Sequence, residues 1–390
     1  MANAAESREE EVCAERLRVG LIGPGRIARL HMDAIKRIPR VDLVAVAGSS
    51  LASAQRVAAE WDIPNAYGDY RLLLDNPDIQ AVHIATRNES HCAISMAALQ
   101  AGKHVICEKP LGVDAQQSGE LLRYASGTGL VHAVCYVLRF YPVLFHLRAM
   151  IQQGQLGTVH TIHGGFLQDW LLAAASYDWR VDARESGPSR AMSDIGTHWL
   201  DMVQFLTGLT VSSVSADMNT IIRERCRPAA SGRPENTMDV DTEDSTLVLL
   251  DFQGRAKGCC IISQVAAGHK MGLSFELDGT QASARWDAER PNELWIGHHD
   301  RPSELLFGEA GLLLPEGRAV CGSGKLKGGA HTWHQFLDAV YAAVRRGDPF
   351  DPTAASFATF IEGDRDMRIV DAIIASHRQR KWVDVASASR

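Results

Sequence analysis

No stretch of this sequence stays apolar for the ~18–20 residues that a membrane-spanning helix needs, so a bilayer is not an expected partner. Met1–Arg16 lacks the apolar core of a secretion signal and carries Glu6, Glu9, Glu10 and Glu11. Residues 1–16 are therefore expected to form a disordered extension. No C-x-x-C pair occurs among the eight cysteines, Cys13, Cys92, Cys107, Cys135, Cys226, Cys259, Cys260 and Cys321. This spacing argues against a disulfide or zinc framework. It favours free, mostly buried thiols in a reducing cytoplasm. An excess of basic charge is also missing. The formal net charge is -7, which removes the electrostatic footprint of a nucleic-acid binder. Neither internal repeats nor low-complexity blocks appear.

What is present is an ordinary globular composition, 46% hydrophobic and 22% charged, over 390 residues. That length favours two domains. From Leu17 short apolar runs alternate with helical patterns: strands at Leu17–Ile22, Leu43–Ala47, Ala81–Ala85, His104–Cys107 and Leu130–Val134, with helices between them. The alternation predicts an α/β domain over 17–141, a doubly wound parallel sheet with helices on both faces. Beyond Pro142 strands dominate: Val159–Phe166, Val211–Met218, Ser245–Phe252, Gly258–Gln264 and Met271–Asp278. Asp194–Leu206 is the clear helix among them. A mainly antiparallel α+β domain over 142–385 follows, with helices Thr332–Arg345 and Ser356–Arg378 packing back near the first domain. Arg223–Asp244 and Pro315–Gly329 read as long surface loops, and the Arg223, Arg225, Arg227 cluster as a solvated charge run.

Gly23-Pro24-Gly25-Arg26-Ile27-Ala28 follows the first strand and opens a helix, matching G-x-G-x-x-G/A. Gly23 permits the tight turn, Gly25 admits a pyrophosphate close to the backbone, and Ala28 lets helix and strand pack closely. The helix start offers free N–H groups to phosphate, with Arg26 and Ile27 in the same turn. A dinucleotide is thus expected, in preference to S-adenosylmethionine. The second strand ends Ala47-Gly48-Ser49-Ser50, without the carboxylate that usually binds an NAD ribose. Ser49, Ser50 and Arg56 suit a 2′-phosphate, so NADP is expected, with NAD the alternative.

Two further groups carry chemistry. Glu108-Lys109-Pro110 ends a buried strand, at the sheet edge where such folds bind ligands. A lysine there can stabilise developing alkoxide charge, and Glu108 can orient it or stand solvated. Asp194 and His198 share one helix face, with Asp201 near the same stripe. A carboxylate beside an imidazole suits general acid–base work. Gly196 between them implies close approach of a substrate or a strand. Asp169-Trp170 and Arg180 set polar groups beside indoles, as sugar recognition does. No Cys/His spacing suits a catalytic zinc, so metal independence is expected.

With Thr86-Arg87-Asn88-Glu89-Ser90-His91, Glu108-Lys109-Pro110 and Asp194-Ile195-Gly196-Thr197-His198-Trp199-Leu200-Asp201 in this order, the chain resembles the Gfo/Idh/MocA oxidoreductases from Leu17 to Val385. The resemblance implies a Rossmann domain followed by a domain with a large open-faced sheet. It also implies alcohol–ketone interconversion on sugars or cyclitols, and a homo-oligomer (dimer or tetramer) formed through the open face. It places Lys109, Asp194 and His198 at catalytic or substrate-contacting positions, and Thr86, Asn88, His91 and Glu108 near the cofactor. Arg87 stands where the family usually has proline. Redox-assisted elimination or epimerisation on tightly bound NAD, and a non-catalytic dinucleotide sensor, are the competing functions.

Overall fold

The computed structural model describes residues 16–228, 234–322 and 328–387, apart from the side chains of 228 and 234–236. The extension expected over 1–16 lies outside the described residues except for Arg16, as does Cys13. The chain divides into two compact units.

The first unit takes in residues up to Gly112, Gln116–Val137 and Gly329–Asp364. Its sheet comprises β1 (Leu17–Ile22), β2 (Val41–Ala47), β3 (Asn65–Tyr67), β4 (Ala81–Ile84), β5 (His104–Cys107) and β6 (His132–Val134), in the order β3-β2-β1-β4-β5-β6. Every pairing is parallel. Successive side chains of a strand point to opposite faces, and here both faces are covered. Ile22, Ala45, Ala47, Val82 and Val105 belong to one apolar core. Leu21 and Val46 belong to another, with Ala28, Met32 and Val57 from the helices. The order is that of a doubly wound dinucleotide-binding sheet, as expected.

The second unit takes in Val113–Ala115, Leu138–Gly328 and Arg365 onward. Its strands are β7 (Val159–Leu167), β8 (Val211–Asn219), β9 (Glu224–Pro228), β10 (Pro234–Asp239), β11 (Ser245–Phe252), β12 (Lys257–Ser263), β13 (Gly272–Gly279), β14 (Ala282–Asp287), β15 (Glu293–His298), β16 (Glu304–Phe307) and β17 (Val383–Asp384). Nine of them form one sheet, β16-β15-β14-β13-β7-β12-β11-β8-β17. It is antiparallel throughout except where β7 meets β12. One face is buried through Val248, Leu250, Ile262, Leu273, Phe275 and Leu277. Helix Thr197–Thr207 packs on that face, and its Trp199 indole donates to the Ser274 carbonyl at 3.0 Å. The opposite face leaves Leu247, Leu249, Cys259 and Ile261 exposed.

Two expected loops are corrected. Arg223–Asp244 contains the hairpin β9–β10, with 229–233 outside the described residues. Arg225 is fully buried instead of solvated. Its guanidinium donates to the carbonyls of Leu171, Ala173 and Ser176 at 2.8–3.1 Å and to Asp244 at 3.1 Å. A buried guanidinium needs such partners, and these carbonyls are too distant in sequence to be foreseen. Pro315–Gly329 holds helix Pro315–Ala319 and the start of helix Gly328–Arg346.

Candidate active site

Parallel register sets the carboxyl ends of three strands side by side. Ile22 of β1 pairs with Ile84 of β4, and Ile84 with Cys107 of β5. The next residues, Gly23, Ala85 and Glu108, therefore stand in a row along one edge. Ala85 N–H donates to the Ile22 carbonyl at 2.8 Å, and Glu108 N–H to that of Ile84 at 2.9 Å.

Gly23 has φ +89°, and a Cβ there would lie 2.8 Å from the Ala85 carbonyl. The fold itself demands that glycine. Gly25 differs: its φ is not left-handed, and nothing lies within 4 Å of the Cβ it lacks. Protein packing does not explain its missing side chain, and the open space there gives a ligand room to approach the backbone. Ala28, fully buried, opens helix Ala28–Arg37, which has no side-chain cap and no acid in its first turn. Arg29 and Leu30 N–H already turn back to the Arg26 and Ile27 carbonyls, and the positive dipole end of the helix suits an anion. Among the residues expected at the ribose, the Ser50 hydroxyl caps helix Leu51–Trp61 by accepting from Ser53 N–H at 3.2 Å. Ser49 and Arg56 are exposed.

Thr86 accepts a hydrogen bond from Ser90 at 2.8 Å, and Asn88, buried, opens helix Asn88–Gln100. The buried His91 ring braces two loops, with Nδ1 2.7 Å from the Pro110 carbonyl and Nε2 3.2 Å from that of Thr86. Burial pulls its pKa below the usual value, with the Pro110 carbonyl opposing. Glu108 is buried, not solvated, and accepts from the Lys109 amide at 3.2 Å. The Lys109 side chain is half-buried.

In the second unit a π-helical turn, Met192–Gly196, runs into helix Thr197–Thr207, replacing the single regular helix expected from Asp194. Asp194 is buried and held at both oxygens, by Arg180 Nε at 3.0 Å and Gln264 Nε2 at 2.8 Å. Arg180 also bonds Asp178 at 3.1 Å and lies 4.3 Å over the Trp179 ring. The His198 ring, half-buried, stands edge-on to Phe166 at 6.2 Å. Asp201 is spent in a buried bidentate pair with Arg139. A Cβ on Gly196 would meet Met192 and Ile262 of β12, so the close approach is to a side chain and a strand. The structure thus brings Arg180 to Asp194. Asp169 instead pairs with Lys270 at 2.6 Å, and the Trp170 indole donates to Gln168 at 2.9 Å. Gln264 is missing from the sequence-based set: nothing near it in sequence marks it as the partner of a carboxylate seventy positions away.

The oxidoreductase family with an NAD-binding Rossmann fold, Gfo/Idh/MocA, matches residues 17–136, and that family's C-terminal domain matches 145–285. Levoglucosan dehydrogenase of Pseudarthrobacter phenanthrenivorans is 30% identical, over 96% of this chain and 100% of that one. The chain belongs to the Gfo/Idh/MocA family. It is therefore an NAD(P)-dependent oxidoreductase, as its residues led us to expect. Two solved structures extend the likeness to the whole Gfo/Idh/MocA fold. Levoglucosan dehydrogenase in complex with NADH and levoglucosan superposes with a TM-score of 0.86 at 29% identity, covering 96% of this chain and 100% of that one. The inositol dehydrogenase homolog from Azotobacter vinelandii, with NADH and myo-inositol, gives 0.83 at 27% identity, covering 95% and 98%. No helix among the described residues is long and apolar enough to cross a membrane.

Proposed function

We propose that this enzyme interconverts a secondary alcohol, or a hemiacetal, and a carbonyl on a sugar, sugar derivative or cyclitol. The observation that carries this reading is the carboxyl edge of the first sheet: in the turn after β1, Gly25 has no protein atom within 4 Å of the Cβ it lacks, and Lys109 follows β5, two strands away. The sugar and cyclitol ligands of the two solved relatives support the substrate class. When bound, the dinucleotide supplies the hydride acceptor or donor. Lys109 polarises the substrate oxygen, and His198 takes the hydroxyl proton in oxidation and returns it in reduction. Asp194, fixed by Arg180 and Gln264, orients substrate or imidazole as a preset acceptor. Asp169, Trp170 and Arg180 belong to the substrate-binding set in this reading.

For the cofactor, the chain's own residues favour NADP: Ser49, just past β2, and Arg56, on the helix that follows, are exposed, and no carboxylate directly follows that strand. The NADH complexes of the relatives favour NAD. A panel of sugars, anhydrosugars, cyclitols and their acids against both cofactors, read at the reduced-nicotinamide absorbance, tests both statements. Turnover is expected with at least one member, at higher kcat/KM with NADP. About tenfold preference for NAD, a difference of ~1.4 kcal/mol, would reverse the cofactor assignment.

We also propose a homo-oligomer, dimer or tetramer, joined through the open sheet face. Leu247 lies opposite Ile261, and Leu249 opposite Cys259, which makes one contiguous apolar patch on β11 and β12. Leu249→Asp with Ile261→Lys is expected to give a monomer by light scattering on a sizing column. An unchanged mass would place the interface elsewhere.

A further inference from the structure

The carboxyl edge of the first sheet is underpinned by a row of buried polar groups that the reaction does not itself require. His83 is the third residue of β4, Ala81–Ile84, in which all four residues are buried. An aliphatic side chain would be the ordinary occupant of such a strand. His83 Nε2 lies 2.6 Å from the Tyr341 hydroxyl, and its Nδ1 lies 2.8 Å from His31 Nδ1. His31 Nε2 lies 3.1 Å from Glu108 Oε1, and Glu108 Oε2 accepts from the Lys109 amide at 3.2 Å. His31, His83 and Tyr341 are fully buried, and the Trp333 ring packs on His31 at 4.4 Å.

Proton accounting gives the row a direction. Burial works against the Glu108 carboxylate, but the hydrogen bond from His31 and the charge of Lys109 hold its pKa below the ordinary value. It is ionised and can only accept, so His31 Nε2 carries a hydrogen. Burial holds His83 well below its usual pKa, so that ring is neutral. Two Nδ1 atoms face each other, and only one can hold the shared proton. In a neutral row Tyr341 O–H donates to His83 Nε2, His83 Nδ1–H donates to His31 Nδ1, and His31 Nε2–H donates to Glu108. Every donor is used once. Tyr341 is buried and its hydroxyl bonds only His83 among the described residues, so the row delivers no proton to water. What it can fix is orientation.

We propose that Tyr341, His83 and His31 are positioning residues, a one-way hydrogen-bond row that locks the Glu108 carboxylate and, through the Lys109 amide, sets the lysine at the sheet edge. This rests on the assignment of Lys109 as the oxygen-polarising group. One competitor uses the same atoms. Cys135, His31 and Glu108 each offer one ligand atom, all within 4.8 Å of one another, a spacing that could hold a metal ion, and the His31 nitrogen beside Glu108 is Nε2. A metal would take the lone pair of His31 Nε2 and remove its N–H, so the two arrangements exclude each other.

The test uses full-length protein labelled with 15N in histidine and lysine, compared with His83→Val and Tyr341→Phe. Long-range imidazole spectra are expected to show the Nε2–H tautomer at His31 and the Nδ1–H tautomer at His83. Both variants should shift the Lys109 amide resonance. On a working sugar His83→Val should lower kcat about tenfold while dinucleotide Kd stays within about twofold. The double variant should be no slower than His83→Val, because both changes break one row. A purely structural role would lower Tm additively and leave kcat and the Lys109 resonance in place, which would overturn the proposal. So would stoichiometric metal in the purified protein with His31 Nε2 unprotonated. If the unmodified enzyme turns over no sugar, only the functional reading fails. The tautomers and the Lys109 resonance still decide for or against the row.

Discussion

Lys109→Ala is expected to lower kcat by about 10²–10³-fold, the loss that follows removal of one preorganised donor to a developing oxyanion, or about 2.7–4 kcal/mol. The binding of reduced dinucleotide should change little, since the Gly23–Ala28 turn and the helix that follows it are left in place. Glu108 would keep its hydrogen bond to the residue 109 amide, because residue 109 contributes only its backbone N–H to that bond. The variant therefore separates loss of the ammonium from collapse of the edge. His198→Ala should show the same split, with a loss of about 10²–10⁴-fold for a proton-transfer group. Stopped-flow turnover and fluorescence titration of the reduced cofactor check both variants. Near-normal kcat in either would remove that residue from the chemistry.

The second large effect separates two glycines of one turn. Gly25→Val should fold with nearly unchanged Tm, because no protein atom lies within 4 Å of the new Cβ position. Its dinucleotide affinity should fall about 10- to 100-fold, the result of forcing extra carbon atoms against a closely seated ligand at ~1–3 kcal/mol. Gly23→Val should do the reverse in order of severity. With φ +89° and a backbone carbonyl 2.8 Å from the added carbon, it should lower Tm before any ligand is present. Calorimetric melting and cofactor titration on the two variants read the difference. Equal loss of Tm in both would mean that Gly25 also serves the fold.

Much of this was legible in the sequence, for reasons tied to period and position. The inner strands of the first sheet are buried on both faces, so β1 and β5 appear as short, mostly apolar runs, interrupted by Arg18 and opened by His104, with the bounds the structure gives them. The edge strand β3 is three half-buried residues, too short for any period to register. In the second unit β14 points Ala282, Ala284 and Trp286 inward, and the two alanines barely lift the hydrophobic signal. The hairpin β9–β10 hid behind its arginines, because Arg225 is buried by carbonyls some fifty positions upstream. Lys109, Asp194 and His198 stood out through motif and residue type. The grip of Arg180 and Gln264 on Asp194 did not, since it is made by tertiary packing. His83 is the one overlooked signal that sequence alone carries, an imidazole in the middle of an aliphatic strand.

The seam where β7 meets β12 also bears on how the chain is made. β7 ends at Leu167, yet both its neighbours, β12 and β13, begin roughly a hundred residues later. During synthesis at ~5–20 residues per second, β7 waits several seconds or more with both edges unpaired. Gly164 and Gly165 lie in that strand, where a Cβ would press on the backbones of β13 and β12. The strand that ends up central to the sheet is thus the first of the nine to be made and the one that waits longest for its first partner, with its backbone edges open to other chains meanwhile.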